Sequence, residues 1–345
     1  MKKIAFEEHF TTEEQLGYLQ SILEKSYPVP EVIETEKNLG IDVRWVSASK
    51  YSSSLSATSS IRDKLLEVGE QRLREMDESG IDMQVLSLTS PGVQMLDAST
   101  GTTLAKRIND KLSRIVREYP ERFAGLAALA PQNPREAADE LQRAVQELGL
   151  KGASINSHVK GEYLDDKKYW VIFETAEKLG VPIYIHPRAP SPDMIKPYLT
   201  YPALATAMCG YGAEVLLHTL RLILSGVFDK YPRLMIILGH LGEALPFWLW
   251  RIDNRWAKRS PSSKDCSKKP SEYARDNFYI TTSGMFSQPA LLCSNLALGA
   301  DRILFAVDYP YESNKEAVAF IESIPICDSD KEKISHLNAE RVLKL

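Results

Sequence analysis

Two carboxylates and two imidazoles at the ends of short apolar runs are the residues of this sequence best equipped for chemistry. Glu7 and His9 close the opening run MKKIAFEEHF, His186 closes VPIYIH, and Asp308 follows ILFAV. Read as a strand, Ile4 to Glu8 alternates faces, so Glu7 and His9 share one side and Glu8 takes the other. A carboxylate and an imidazole two apart at a strand end make half of a divalent-metal site. His186 and Asp308 supply the other half. Neutral imidazoles and carboxylates can bind a cation at neutral pH without large pKa shifts. The mixed nitrogen and oxygen set suits Zn²⁺ or Mn²⁺, with Mg²⁺ also accommodated. We expect one ion rather than two, because a second wants a bridging carboxylate or modified lysine at the same place. The run GASINS ends instead in Asn156, Ser157 and His158, with Lys151 at its far end.

A second pair lies in GHLGEALPFWLWR. His240 and Glu243 are three apart, so one turn brings the carboxylate to the imidazole and makes His240 a candidate acid/base group. Arg251 is eleven residues further on and reaches an anionic substrate only if the segment bends at Pro246. Trp248, Trp250 and Trp256 read as helix packing. Histidine is scarce, six in all, and His9, His158, His186 and His240 all fall at or just past predicted strand ends. That coincidence, rather than any one residue, points to a site; His218 and His336 lie in helical patterns.

The elements that must position these groups follow a simple repeat. After the opening strand come Asp82–Leu88, Phe123–Leu129, Gly152–Ser157, Val181–His186, Leu234–Leu238, Phe278–Thr282 and Ile303–Val307, eight β-rich runs in total. Between them lie helical periodicities such as Leu104, Ile108, Leu112 and Ile115, whose spacing makes one apolar stripe. Gly80, Gly149 and Gly180 stand where helices would stop. Eight βα units predict an α/β protein with a (β/α)₈ TIM barrel, whose active site gathers at the C-terminal strand ends. An open doubly wound sheet is the alternative, but no GxGxxG follows any strand. We expect a single domain over residues 1–345. Residues 11–60, with a Ser-rich tract from Ser47 to Ser60, form an extended first βα insertion expected over the barrel mouth. Lys258–Pro270 reads as a solvated surface loop.

Composition narrows the partners. Hydrophobic content of 44% with 26% charged residues is that of an ordinary globular protein, and a net charge of −4 offers nothing to nucleic acid or anionic membrane. No run long enough to span a bilayer and no signal-peptide pattern is seen, so a cytoplasmic location is expected. The cysteines, Cys209, Cys266, Cys293 and Cys327, are widely spaced thiols with no CxxC pair; Cys293 falls in an apolar helical pattern as a core residue.

Taken together, EEHF at 7–10, YIHPR at 184–188, ILGHLGEALPF at 237–247 and VDYPYE at 307–312 resemble the amidohydrolase-superfamily decarboxylases of hydroxybenzoates, which include γ-resorcylate and 2,3-dihydroxybenzoate decarboxylases. These motifs run from first strand to last. EEHF is closer to the γ-resorcylate type than to relatives with EEAF, and one position departs from that type, Tyr311 standing where it has Phe. The resemblance implies metal ligation by Glu7, His9, His186 and Asp308, a catalytic pair of His240 and Glu243, no organic cofactor and a homotetramer, or a homodimer as the smaller assembly. Arg251, Phe10 and Tyr311 are the residues expected to contact a small aromatic carboxylic acid. The implied reaction is non-oxidative decarboxylation of an ortho-hydroxybenzoate, of the 2,6- or 2,3-dihydroxybenzoate or salicylate type, with Asp308 delivering a proton to the ring carbon. The rival on the same barrel is a metal-dependent lactone or amide hydrolase, in which Asp308 would deprotonate water and His240 would support the oxyanion. A barrel that only binds a ligand is the third reading.

Overall fold

In the computed structural model, which describes residues 1–24, 61–191, 193–259 and 266–345, the apolar runs become parallel strands. They are β1 (Ile4–Phe10), β2 (Met83–Leu88), β3 (Phe123–Gly125), β4 (Ala127–Ala128), β5 (Ala153–Asn156), β6 (Ile183–His186), β7 (Ile236–Leu238), β8 (Phe278–Thr281) and β9 (Ile303–Leu304). The predicted third run is split at Leu126, so β3 and β4 are one barrel strand in two pieces; the Leu126 N–H still donates to Leu86 O at 2.9 Å. Neighbours pair in the orders β1-β2-β3 and β4 through β9, all parallel. Closure comes from main-chain bonds between the last strand and the first, Phe6 N to Phe305 O at 2.9 Å, Asp308 N to Glu7 O at 3.0 Å and His9 N to Tyr309 O at 2.8 Å. The result is the expected (β/α)₈ barrel. Most of the 11–60 insertion, including the Ser-rich tract, lies outside the described residues, as does the middle of the 258–270 loop; Glu13–Glu24 is helical.

The first strand does not alternate as simply as its sequence implies. Ala5 pairs with Gln84, but Glu8 pairs with Leu86, so β1 holds one more residue than β2 across this stretch and a bulge falls at Phe6 and Glu7. Ile4 and Phe6 pack with Val85, Leu126, Tyr184, Ile237 and Leu304, a cluster that only the barrel interior can assemble, closed below by Val342 and Leu343. Ala5 and Phe10 belong instead to the layer between strands and helices. Strict alternation from Phe6 would turn Glu7 outward and Glu8 inward. The bulge re-phases the strand, so Phe6 fills the interior and Glu7 and His9 still face it.

The surrounding helices follow their stripes. Leu104, Ile108 and Leu112 of the helix Ala98–Glu118 are buried, and Asp97 caps it by accepting the Thr100 N–H at 2.9 Å. Gly80 and Gly180 end two helices in the left-handed conformation, with φ of 72° and 63°, which glycine adopts without steric cost. One segment departs from the sequence expectation. Ala203–Leu224 does have the length and apolarity of a membrane span. Here it packs on the barrel, burying Glu214, His218 and Thr219, and Arg221 forms an ion pair with Asp165 at 2.9 Å, as suits a core helix.

Candidate metal centre and active site

Glu7, His9, His186 and Asp308 come from β1, β6 and the connection after β9, and the barrel brings one donor atom of each within 4.8 Å of the others. Among the described residues this is the one group of its kind. His9 Nε2 lies 3.0 Å from Asp308 Oδ1, and His186 Nε2 lies 3.7 Å from Glu7 Oε1. Glu7 Oε1, His9 Nε2 and Asp308 Oδ1 are buried without a hydrogen-bond partner. Burying several ionisable groups costs several kcal/mol each unless something answers their charge. Two imidazole nitrogens and two carboxylate oxygens aimed at one point fit a divalent cation. Lys151, the residue available to bridge a two-ion centre, is at the opposite end of the barrel, where its Nζ donates to Lys344 O at 3.1 Å.

Around these four, hydroxyls that the sequence reading passed over fix the ligands. The His240 N–H donates to Ser283 Oγ at 3.1 Å, and a main-chain N–H can only donate, so the Ser283 hydroxyl proton is turned to Glu7 Oε2. Thr281 Oγ1 donates to the same oxygen at 3.0 Å. Oε2 is thereby saturated and Oε1 is left for the cation. Ser87 Oγ stands 3.3 Å from His9 Nδ1, which orients that ring with Nε2 inward. Thr281 and Ser283 are two apart in FYITTS, at the end of a predicted strand, and that period of two was the one signal available in the sequence.

His240 occupies a turn of unusual backbone. It, Leu241 and Glu243 all have φ between 52° and 55°, a conformation costly for side chains other than glycine and asparagine and concentrated at active sites. The turn sets His240 Nδ1 2.8 Å from Glu243 Oε1 and Nε2 3.5 Å from Asp308 Oδ2. Glu243 in turn lies against the first turn of the helix Gly210–Leu224. A Cβ at Gly212 would stand 2.6 Å from Glu243 Oε2, so a larger residue there would push the carboxylate aside.

The charges sort themselves by environment. Burial pushes the Asp308 carboxyl up, but the neighbouring His240 and His9 imidazoles outweigh it and hold the group far below the usual carboxylate range. Burial pulls the His240 imidazole down, yet Glu243 and Glu7 override that and raise it well above its ordinary value. Burial, aided by His9, keeps His186 neutral and so available as a ligand. Burial raises Glu7, against the pull of His240. These shifts favour a charged His240 beside an ionised Asp308.

Four expectations need correction. His158 stands apart from the cluster: its Nδ1 accepts the Gly161 N–H at 3.0 Å, so Nε2 carries the proton and donates to Ala189 O at 3.1 Å. Burial, with Arg188 nearby, pushes it down to about 2, and it is a satisfied structural histidine. Phe10 sits on the outward side of β1, fully buried between strand and helices, because it follows His9 in the alternation. Arg251 is exposed on the helix Leu245–Ala257 and lines an outer groove with Leu220, Leu224 and Trp248. Pro246 occupies that helix's first turn, where it fits without bending it, so a single chain does not carry Arg251 to the cluster by the expected route. Trp248 and Trp250 are likewise exposed rather than packed, at 47% and 75%. Tyr311 does border the site, its ring 5.7 Å from that of His9 and its hydroxyl 2.8 Å from Thr89 Oγ1.

A neighbouring group of Ser157, His218 and Glu214 has the residue types of a hydrolytic triad but not its wiring. The Leu164 N–H donates to His218 Nε2 at 3.1 Å, so Nδ1 bears the proton that faces Ser157 Oγ at 3.1 Å. The serine proton then goes to Glu214 Oε1 at 3.2 Å. His218 has no lone pair with which to activate the serine.

The amidohydrolase family model matches residues 57–345. The γ-resorcylate decarboxylase of Polaromonas sp. (strain JS666) is 40% identical over 352 aligned positions, spanning 99% of this chain and 98% of its own. The crystal structure of 5-carboxyvanillate decarboxylase from Sphingomonas paucimobilis superposes with a TM-score of 0.89 at 40% identity, covering 100% of this chain and 99% of that one. A dihydroxybenzoic acid decarboxylase from Polaromonas sp. JS666, solved with bound manganese and the inhibitor 2-nitroresorcinol, gives 0.85 at 39% identity over 100% and 97%. The chain belongs to the amidohydrolase family, in its branch of metal-dependent hydroxybenzoate decarboxylases. It is a carbon–carbon lyase whose divalent-metal site is Glu7, His9, His186 and Asp308.

Proposed function

We propose that the protein releases CO₂ from a benzoate bearing a hydroxyl ortho to the carboxylate, with 2,6-dihydroxybenzoate first among its substrates and 2,3-dihydroxybenzoate and salicylate behind it. The observation that carries this reading is the contact of Asp308 with both His9 and His240, which joins the ligand set to a proton store. The hydroxylated acids and the ring inhibitor associated with its relatives support the substrate class.

Departure of CO₂ from an aromatic ring would leave an aryl carbanion, so the ring carbon must be protonated first. A divalent cation, Mn²⁺ or Zn²⁺, held by Glu7, His9, His186 and Asp308, would supply the Lewis acidity that favours the ionised phenol. Asp308 is ionised in the free site, so its proton arrives with the substrate, from the ortho hydroxyl. Asp308 then passes that proton to the carbon bearing the carboxylate. The bond to the carboxylate breaks, its electron pair returns to the ring, and CO₂ leaves. His240, kept charged by Glu243, reprotonates the phenolate of the product and is recharged from solvent. Tyr311 forms one wall of the substrate space, and Arg251, exposed on the helix Leu245–Ala257, belongs instead to a surface for assembly with a second copy.

That assembly is a homotetramer or homodimer. Phe247, Trp248 and Trp250 of one helix are 77%, 47% and 75% exposed, an aromatic surface suited to burial against another subunit. We place the protein in the cytoplasm, where its four free cysteines remain thiols.

Glu243→Gln tests the proton assignment. Glu243 is the largest influence raising His240, so removing its charge lowers the His240 pKa, and the protonated form is lost at a lower pH. The alkaline limb of the kcat profile is expected to move about one to three units toward acid. An unmoved limb would remove His240 from the proton path.

A further inference from the structure

Glu8, the second glutamate of the EEHF motif, is fully buried and has no place in the reaction just described. It points away from the barrel axis, to the connection that follows β9. Its Oε1 accepts the Val307 N–H at 2.9 Å and its Oε2 the Tyr309 N–H at 3.3 Å, with Gln84 Nε2 at 3.4 Å from the same oxygen. The residue between those two main-chain donors is Asp308. Its φ is 79°, so its side chain reaches the cluster from a backbone conformation that must be held from outside. Arg72, also fully buried, completes the arrangement: its Nη2 donates to the His9 carbonyl oxygen at 2.5 Å, and its guanidinium lies 4.4 Å from the centre of the Tyr309 ring. Two buried side chains, a carboxyl and a guanidinium, thus grip the main chain at His9 and on both sides of Asp308, and the His9 and Asp308 side chains meet at 3.0 Å.

We propose that Glu8 and Arg72 are positioning residues of the metal centre, which set the separation and aim of His9 and Asp308 and thereby the affinity for the cation. This rests on the metal-site assignment above. The physical reason is that a carboxylate can accept two main-chain N–H groups at once through charge-assisted bonds, which no neutral isostere does. A glutamine at position 8 keeps the shape but must turn its NH₂ toward one of the two donors. Partners that orient ligands from behind in this way are worth about 10- to 100-fold in metal affinity.

The test is the affinity of chelator-stripped, folded protein for Mn²⁺ by titration calorimetry, with thermal midpoints recorded alongside. Glu8→Gln is expected to bind Mn²⁺ about 10- to 100-fold more weakly than wild type while still melting cooperatively. Arg72→Met, which leaves both Glu8 bonds in place and loses only the hold on His9 and Tyr309, is expected to weaken binding in the same direction and serves as the readout if Glu8→Gln fails to fold. Affinities within twofold of wild type, with only the midpoints lowered, would mean that the pair is a structural seam and would overturn the proposal. Wild-type protein that takes up no Mn²⁺ would instead refute the metal site itself, and the proposal with it.

Discussion

Asp308→Asn is expected to lower kcat by about a thousandfold, the scale set by losing a positioned proton donor. The asparagine keeps a ligand oxygen near His9 but cannot carry a proton from the substrate hydroxyl to the ring carbon. Excess Mn²⁺ therefore should not restore turnover, even where calorimetry shows the ion bound. Steady-state CO₂ release across a Mn²⁺ series checks this directly. Unimpaired turnover would mean that the ring carbon receives its proton from another group, and His240, 3.5 Å from Asp308, would be the next to examine.

His186→Ala should fail for a different reason and in a different way. His186 is held neutral, so its contribution is a nitrogen donor rather than a proton. Removing a direct ligand should weaken Mn²⁺ binding by at least about the 100-fold that supporting partners already command. Purified variant is expected to lose metal and activity together, and activity should return in part at high Mn²⁺. Protein stability should follow the metal. Saturation at a hundred times Kd stabilises the folded state by about 2.7 kcal/mol, so chelator should lower the wild-type melting midpoint and leave that of His186→Ala nearly unchanged. Metal content, activity and melting that were all indifferent to the substitution would take His186 out of the site.

The ligand set was legible because each member closes a β-rich run, and a parallel barrel gathers such ends at one mouth. His240 and Glu243 were legible for a local reason, their spacing of three. What escaped the sequence lies in the third dimension or in a broken period. Counting by two from Ile4 would have buried Glu8 at the axis, and only the pairing of β1 with β2 reveals the extra residue that brings Glu7 inward. His158 sits at a strand end like His186, yet its ring turns to Gly161 and Ala189, partners that spacing does not announce. Gly212 and Ser283 lie against Glu243 and His240 from elements far away in sequence. Arg251 reaches inward only where Pro246 bends its helix, whereas a proline in a first turn leaves a helix straight.

The central claim is metal-dependent removal of a carboxylate beside a ring hydroxyl. Its most direct test is chromatography of a small panel incubated with purified protein, with and without chelator: 2,6-dihydroxybenzoate, 2,3-dihydroxybenzoate, salicylate, 4-hydroxybenzoate and a simple lactone. We expect chelator-sensitive conversion of the ortho-hydroxylated acids to their phenols, 2,6-dihydroxybenzoate fastest, with 4-hydroxybenzoate and the lactone untouched. Survival of all the acids together with opening of the lactone would make the same metal site a hydrolase and contradict the role given to Asp308.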